Sequence, residues 1–352
     1  AGKLKEGKHP WTSATGLVVR GYISRIDSSI QPYGLVVPEG FSPRVHKRWR
    51  CDIWLHGRNN QLSEIRFLAD RLKNHGQFTP KDTIVLHPYG RFCNAYKFAG
   101  EVDVLEALAH VKQLYSIDNE RVAMRGFSMG GAGAWHLGAH HAGEWAAVAP
   151  GAGFVDTAIY QNIFAKEPKP NWWEQKLWAW YDVPPIAGNF FNTTTIAYSG
   201  ELDKQKQAAD LMTAAFNREG LALPHLIGLK TGHKYEPKVK AELSKKIDAT
   251  VNRGRNVYAP KVRLVTHTLR HNRMKWVTIH GLEQHWRPAR VEAENVADYK
   301  FAVKTTNVTA LMLGKLKVPN QGTAEYTVTI DGQVLKTKPD RLKPILLRKF
   351  GD

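Results

Sequence analysis

Ser128 stands between two glycines in RVAMRGFSMGGAGAW (Arg121–Trp135), directly after an apolar run. The spacing G126-F-S128-M-G130 is G-x-S-x-G, which at a strand-to-helix junction makes a nucleophile elbow. The turn is so tight that side chains two residues to either side would clash, and Gly131 and Ala132 keep the helix start small as well. A serine hydroxyl is a weak nucleophile unless a base takes its proton and a third group orients the base. A phosphate-cradling turn is the rival reading. It fails because no Gly-Lys-Ser/Thr follows and no G-x-G-x-x-G is present.

The partners of such a serine come in the order serine, acid, histidine. TTTIAYSGELD offers Glu201 and Asp203, and Asp203, three residues past Gly200, can turn back toward a histidine. Glu201 sits closer to the strand and is the lesser choice. HLIGLKTGHKY places His233 just beyond the final strand of the pattern, whereas His225 lies at its wrong end. Ser128, His233 and Asp203 therefore read as nucleophile, base and orienting acid. The oxyanion of acyl transfer needs two amide donors. One is the backbone of Met129, and the other is expected from the loop H56-G57-R58-N59-N60.

Those residues need a scaffold. Residues 17–37 alternate in two strands about a polar turn, an antiparallel start. Short apolar runs (CDIWLHG, TIVLHPYG, RVAMRGF, AAVAPGAG, TTTIAYSG, HLIGLKTG) then alternate with helical stretches, among them Ser63–His75, Gly100–Tyr115 and Gln205–Glu219. That alternation predicts an α/β, doubly wound, mostly parallel sheet covered by helices. Beyond Tyr258 the period changes to two (VRLVTHTL, KWVTIHGL, YKFAVKTT, AEYTVTIDGQVLK), with Asp331-Gly332 as a hairpin signal. The expected organisation is a catalytic domain over residues 1–258 and a small β-sandwich-like accessory domain over 259–352. Every expected catalytic residue precedes Tyr258, so a chain ending there is expected to retain hydrolysis.

Together, LHGRN, HPYGRF, GFSMGGAGAW, YSGELDKQ and TGHKY resemble the α/β-hydrolase superfamily, and within it the prolyl-oligopeptidase-like and feruloyl/acetyl esterase branch. The resemblance spans about Gly16–Val251. It implies an α/β-hydrolase fold, and it implies that the backbone N–H of Arg58 is the second oxyanion donor. True prolyl oligopeptidases carry a propeller ahead of the hydrolase domain. Fewer than 20 residues precede the first strand here, so a propeller-gated peptidase is not expected.

Other features bear on the substrate. NWWEQKLWAWYD (Asn171–Asp182) holds Trp172, Trp173, Trp178 and Trp180 in an insertion that either packs on itself or stacks on a sugar ring or a ferulate. Arg58 and Arg91 are further candidate substrate contacts. His136, His140 and His141 have helical spacing suited to a metal, but no carboxylate or cysteine in the pattern supports it. They read as surface or helix-end histidines, with no metal and no cofactor expected.

The net charge is +18, and residues 251–352, with 19 Lys and Arg against 8 Asp and Glu, supply +11 of it. Such a surface suits an acidic polysaccharide or is simply solvated. No nucleic-acid-binding motif accompanies it, so no nucleic-acid partner is expected. No apolar run reaches the roughly 18 residues of a membrane span. Cys51 and Cys93 are expected as free thiols at opposite ends of the sheet, roughly 15 Å or more apart. The chain opens AGKLKEGKHPW, so any export signal is expected to have been removed, and a secreted or periplasmic location is expected. The expected activity is hydrolysis of carboxylic esters, of acetyl or feruloyl type on carbohydrate, through an acyl-enzyme. The alternatives are a serine peptidase without a propeller and a glycan-binding protein with a secondary hydrolase site.

Overall fold

The computed structural model describes residues 13–314, 325–338 and 344–350. The apolar runs become strands of one nine-stranded sheet. It contains β1 (Gly16–Ile23), β2 (Ile30–Val37), β3 (Trp49–Leu55), β4 (Thr83–Pro88), β5 (Ile117–Phe127), β6 (Ala147–Gly151), β7 (Thr194–Thr195), β8 (Ala197–Gly200) and β9 (His225–Gly228). The order is β1-β2-β4-β3-β5-β6-β8-β9, with β7 beside β6. β1, β2 and β4 pair antiparallel, and from β4 onward every pairing is parallel. Helices cover the sheet: α1 (Glu64–Arg71), α2 (Ala99–Leu114), α3 (Met129–His140), α4 (Thr157–Gln161), α5 (Trp172–Trp178), α6 (Lys206–Arg218) and α7 (Pro237–Arg253). β3, β4 and β6 are buried along their whole length, because a parallel strand under helices on both faces has no wet side.

Strands β3 and β5 are locked in register by a buried ionic network. Asp52 of β3 accepts Arg125 Nε of β5 at 2.7 Å and Arg50 Nε at 2.7 Å. Both arginines also reach Asp248 of α7, at 2.7 and 3.1 Å. Burial opposes the charge of Asp52, but Arg125 and Arg50 hold its carboxyl below the usual carboxylate value. β5, β3 and α7 are thereby tied together.

The C-terminal strands form two further sheets. One runs β10 (Lys261–Thr266), β13 (Ala289–Ala297), β14 (Lys300–Thr306), β16 (Tyr326–Ile330) and β17 (Gln333–Thr337). The other runs β11 (Arg273–Met274), β12 (Val277–Leu282), β15 (Val308–Leu313) and β18 (Ile345–Arg348). They share a core containing Leu264, Trp276, Ile279, Val291, Phe301 and Leu311. Asp331 and Gly332, at φ 47° and 86°, turn β16 into β17 as a two-residue hairpin of this type requires.

Contacts across to the hydrolase sheet are specific. Asn189 donates to the Val265 carbonyl at 2.9 Å and accepts from its N–H at 2.7 Å, and Asn192 donates to the Arg263 carbonyl at 2.7 Å. Arg290 forks onto Glu219 at 2.8 and 3.0 Å. Val265 is packed in the hydrolase core, and Ala142 in the appendage core. Cys51 is buried in β3, Cys93 follows β4, and both are free.

Candidate active site

β5 ends at Phe127 and α3 begins at Met129, leaving Ser128 alone in the elbow with φ 60° and ψ −120°. This backbone conformation is sparsely populated for a side-chain-bearing residue and costs on the order of 1–3 kcal/mol. Its surroundings impose it. The Ser128 N–H donates to the Gly151 carbonyl at 2.9 Å, and its carbonyl accepts from Ala132 N at 3.0 Å. A Cβ on Gly130 would lie 1.9 Å from the Leu55 carbonyl oxygen, and one on Gly126 would lie 2.1 Å from that of Gly130. Only glycine fits where helix, nucleophile strand and neighbouring strand meet so closely.

Asp203 lies in the loop after β8, and His233 in the loop after β9. His233 Nδ1 is 2.8 Å from Asp203 Oδ2, while Asp203 Oδ1 accepts the backbone N–H of Gln205 at 2.8 Å. The Asp203 side chain is only 3% exposed and that of His233 is 43% exposed, so a fixed, buried carboxylate holds an accessible imidazole. Phe127, next to the serine, packs its ring 4.9 Å from the His233 ring. Glu201 takes a different role. It is exposed, and it accepts the backbone N–H of Lys230 at 2.7 Å, bracing the turn that leads to His233.

The loop after β3 runs along the other side of Ser128. A side chain on Gly57 would lie 3.6 Å from Cβ of Ser128, so the His56-Gly57-Arg58 backbone runs beside that serine. His56 anchors it, with Nε2 3.0 Å from the Tyr89 carbonyl and Nδ1 2.8 Å from the Gly57 carbonyl. Tyr96 donates to the His56 carbonyl at 3.2 Å and Tyr89 to that of Leu62 at 2.9 Å. Pinning a loop before reaction is what makes its amide dipoles useful to a developing charge. Met129 is buried as the first residue of α3, whose first-turn N–H groups have no intrahelical acceptor. The Arg58 side chain is exposed and bonds Asn60.

Side chains around this centre sort the remaining candidates. A cleft of about 310 Å³, lined by Gly153, Phe154, Tyr160, Lys204, Gln205 and Leu211, adjoins Asp203. Gly153, on its wall, is packed against the elbow, since a Cβ on it would lie 3.0 Å from the Ser128 carbonyl oxygen. Phe154 and Tyr160 stack at 4.0 Å, and Lys97 Nζ lies 5.4 Å from the Phe154 ring and 3.8 Å from that of Tyr181. Burial lowers the Lys97 ammonium to about 8. Sequence reasoning missed Lys97, in the loop after β4, and Phe154 and Tyr160, in the segment after β6 with Tyr160 on α4, since no motif links them.

The four tryptophans divide. Trp172 and Trp173 on α5 are 69% and 49% exposed. Trp178 packs against Phe164, and Trp180 lies between Phe98 and Trp286 of the appendage. Trp178 and Trp180 thus spend much of their ring surface on packing. Arg91 is tied to Asp27 at 2.8 and 3.2 Å, which anchors the loop after β4 to the β1–β2 turn. A second cleft, of about 370 Å³, borders the loop after β3 at His56, Gly57, Asn59, Gln61, Leu62 and Arg66.

Of the three histidines, His136 and His140 are buried in α3 rather than at the surface, and His141 caps its end partly exposed. His136 and His141 both reach Glu101 of α2, the carboxylate that the local sequence pattern did not reveal. Helix α2 brings it in from 35 residues away in the chain.

A model of the prolyl oligopeptidase family matches residues 94–250. A Bacteroides ovatus protein described as a dipeptidyl aminopeptidase IV superposes with TM-score 0.53 at 14% identity, over 68% of this chain and 36% of its own. This chain therefore spans little more than a third of that protein's length. A fluorophosphonate-binding serine hydrolase of Staphylococcus aureus gives 0.49 at 17% identity, over 68% and 100%. A ferulic acid esterase gives 0.49 at 17% identity, over 66% and 97%. Comparison with curated protein sequences returns no match. The chain has the α/β-hydrolase fold, and residues 94–250 are similar to the prolyl oligopeptidase family.

Proposed function

We propose that the chain hydrolyses carboxylic esters, with Ser128 as nucleophile, His233 as general base and acid, and Asp203 as the group that fixes the imidazole. The observation that carries this reading is the Asp203–His233 pair at 2.8 Å, set beside a serine in an elbow conformation. With Nδ1–H bonded to Asp203, the lone pair of Nε2 is free to take the Ser128 hydroxyl proton as Oγ attacks the carbonyl. The tetrahedral oxyanion is then held by the backbone N–H groups of Met129 and Arg58, at the positive end of α3. The imidazolium returns its proton to the leaving alcohol, and water repeats the cycle to release the acid.

The preferred substrate class is acetyl or feruloyl esters of carbohydrate. The stacked pair Phe154–Tyr160 in the cleft by the elbow and the exposed Trp172 and Trp173 offer flat apolar faces to a sugar or cinnamoyl ring. The net charge of +18 suits an acidic polysaccharide as the carrier. The second reading, a peptidase, is favoured by the family matched over residues 94–250. Initial rates on p-nitrophenyl acetate and on acetylated and feruloylated sugars, beside a panel of peptide anilides, separate the two. Faster turnover of any peptide anilide than of every ester would replace the ester reading with the peptidase one.

A further inference from the structure

The far end of α3 gathers a second set of reactive side chains. Glu101 of α2, 2% exposed, is approached by His136 Nε2 at 3.2 Å, His141 Nε2 at 2.9 Å and His271 Nε2 at 2.8 Å. His136 meets one carboxylate oxygen, and His141 and His271 share the other. His271 comes from the appendage, in a short 3-10 turn (Leu269–His271) between β10 and β11. His140 completes the group, its ring stacked on that of His271 at 3.8 Å. Both His140 ring nitrogens are buried without a hydrogen-bond partner, as is Nδ1 of His136.

Hydrogen bonding alone accounts poorly for this assembly. Burying an imidazole with neither nitrogen satisfied costs on the order of 1–3 kcal/mol per group. Among the described residues the ion-pair partners of the buried Glu101 are His136, His141 and His271. The donor set of imidazole nitrogens and one carboxylate oxygen is what zinc and its neighbours prefer.

We propose that Glu101, His141 and His271 bind a divalent transition-metal ion of the zinc class, with His140 packed beside them. The three ligand atoms lie within 4.8 Å of one another. Metal–ligand bonds of about 2.0–2.1 Å in a tetrahedron set ligand atoms about 3.3 Å apart, so small shifts admit the ion. His136 then holds the other oxygen of Glu101 and orients it, as an outer hydrogen-bonding partner does. The site lies at the C-terminal, negative end of α3, which favours a cation. Twelve residues of helix at about 1.5 Å each put it about 18 Å from Ser128, so its role is structural. The ion joins α2 and α3 of the hydrolase domain to the appendage through His271.

The test is metal uptake by the full chain, freed of metal with a chelator and then titrated with ZnCl₂ or CoCl₂. The expected result is one ion per chain, a rise in Tm that saturates at one equivalent, and the visible absorption of tetrahedral cobalt(II). His271→Gln and His141→Gln are expected to weaken binding about a hundredfold or more, while the exposed His280→Gln and His285→Gln leave it unchanged. Should the cluster variants fail to fold, the cobalt spectrum of the unmodified protein decides. Absence of stoichiometric uptake, an octahedral cobalt spectrum, or unchanged binding in folded His271→Gln and His141→Gln would overturn the proposal.

Discussion

Asp203→Asn and Glu201→Gln together distinguish the acid of the proposed triad from a neighbouring carboxylate. In Asp203→Asn the side chain keeps its shape, and an amide oxygen can still accept the Gln205 N–H that Oδ1 accepts now. The other end changes from acceptor to donor, opposite His233 Nδ1 at 2.8 Å. An NH₂ group there requires Nδ1 to be the bare nitrogen, which moves the imidazole proton to Nε2. Nε2 then cannot take the Ser128 proton. Such a tautomer error costs about 10⁴-fold in kcat. At about 1.4 kcal/mol per tenfold, that is about 5.5 kcal/mol of barrier. Glu201→Gln, by contrast, keeps an oxygen to accept the Lys230 N–H and touches neither His233 nor Ser128. Its expected effect is less than about threefold, below 1 kcal/mol. The assay is kcat and KM on p-nitrophenyl acetate at neutral pH, with circular dichroism to show both variants folded. A folded Asp203→Asn within tenfold of the parent, or a Glu201→Gln loss exceeding it, would refute the assignment.

Asp52→Asn is expected to lower unfolding stability by about 3–5 kcal/mol, read from urea midpoints, because it strips a buried partner from Arg50 and Arg125. Since the folded carboxyl lies below its ordinary value of 3.8, its contribution is present above about pH 4 and fades as pH falls through the lowered folded value, so the parent and variant curves are expected to converge in acid. Trp172→Ala or Trp173→Ala is expected to raise KM on feruloyl or acetyl sugars by several-fold, from loss of a stacking face worth ~1 kcal/mol, and to leave p-nitrophenyl acetate unchanged. Equal losses on both substrates would assign the two rings to packing. A chain ending at Tyr258 is expected to lose stability, because Asn189 and Asn192 lose their backbone partners on β10 and Val265 leaves the hydrolase core. An unchanged Tm of that shortened chain would contradict this.

Legibility in the sequence followed how locally each feature is encoded. The elbow is a five-residue motif whose glycines answer to contacts below 2.5 Å for any added Cβ, so Ser128 could be read directly. Asp203 and His233 were legible because strand order forces the loops after β8 and β9 to the same edge of the sheet as the elbow. The turn at Asp331-Gly332 was equally local. Glu101 and His271 are 170 residues apart, and no spacing rule links an acid on α2 with a histidine in a later turn. Lys97, Phe154 and Tyr160 converge from the segments after β4 and β6, where aromatic and basic residues carry no periodic signal. The tryptophan cluster was visible as composition, but its division into exposed and packed rings depends on Phe98, Phe164 and Trp286, which lie outside it. The interlocking of the β10 strand with the hydrolase core was hidden likewise, since two asparagines in a 3-10 segment make it.

The central claim is that Ser128 is the nucleophile, and its most direct test is covalent trapping. Treatment of the full chain with a fluorophosphonate, followed by peptide mass spectrometry, is predicted to place one adduct per chain on Ser128. Loss of p-nitrophenyl acetate hydrolysis is predicted to follow the same time course. The folded Ser128→Ala variant is predicted to take no label and to retain less than about 10⁻⁴ of the parent kcat. An adduct on another residue, or a Ser128→Ala protein keeping a tenth of the activity, would contradict the account.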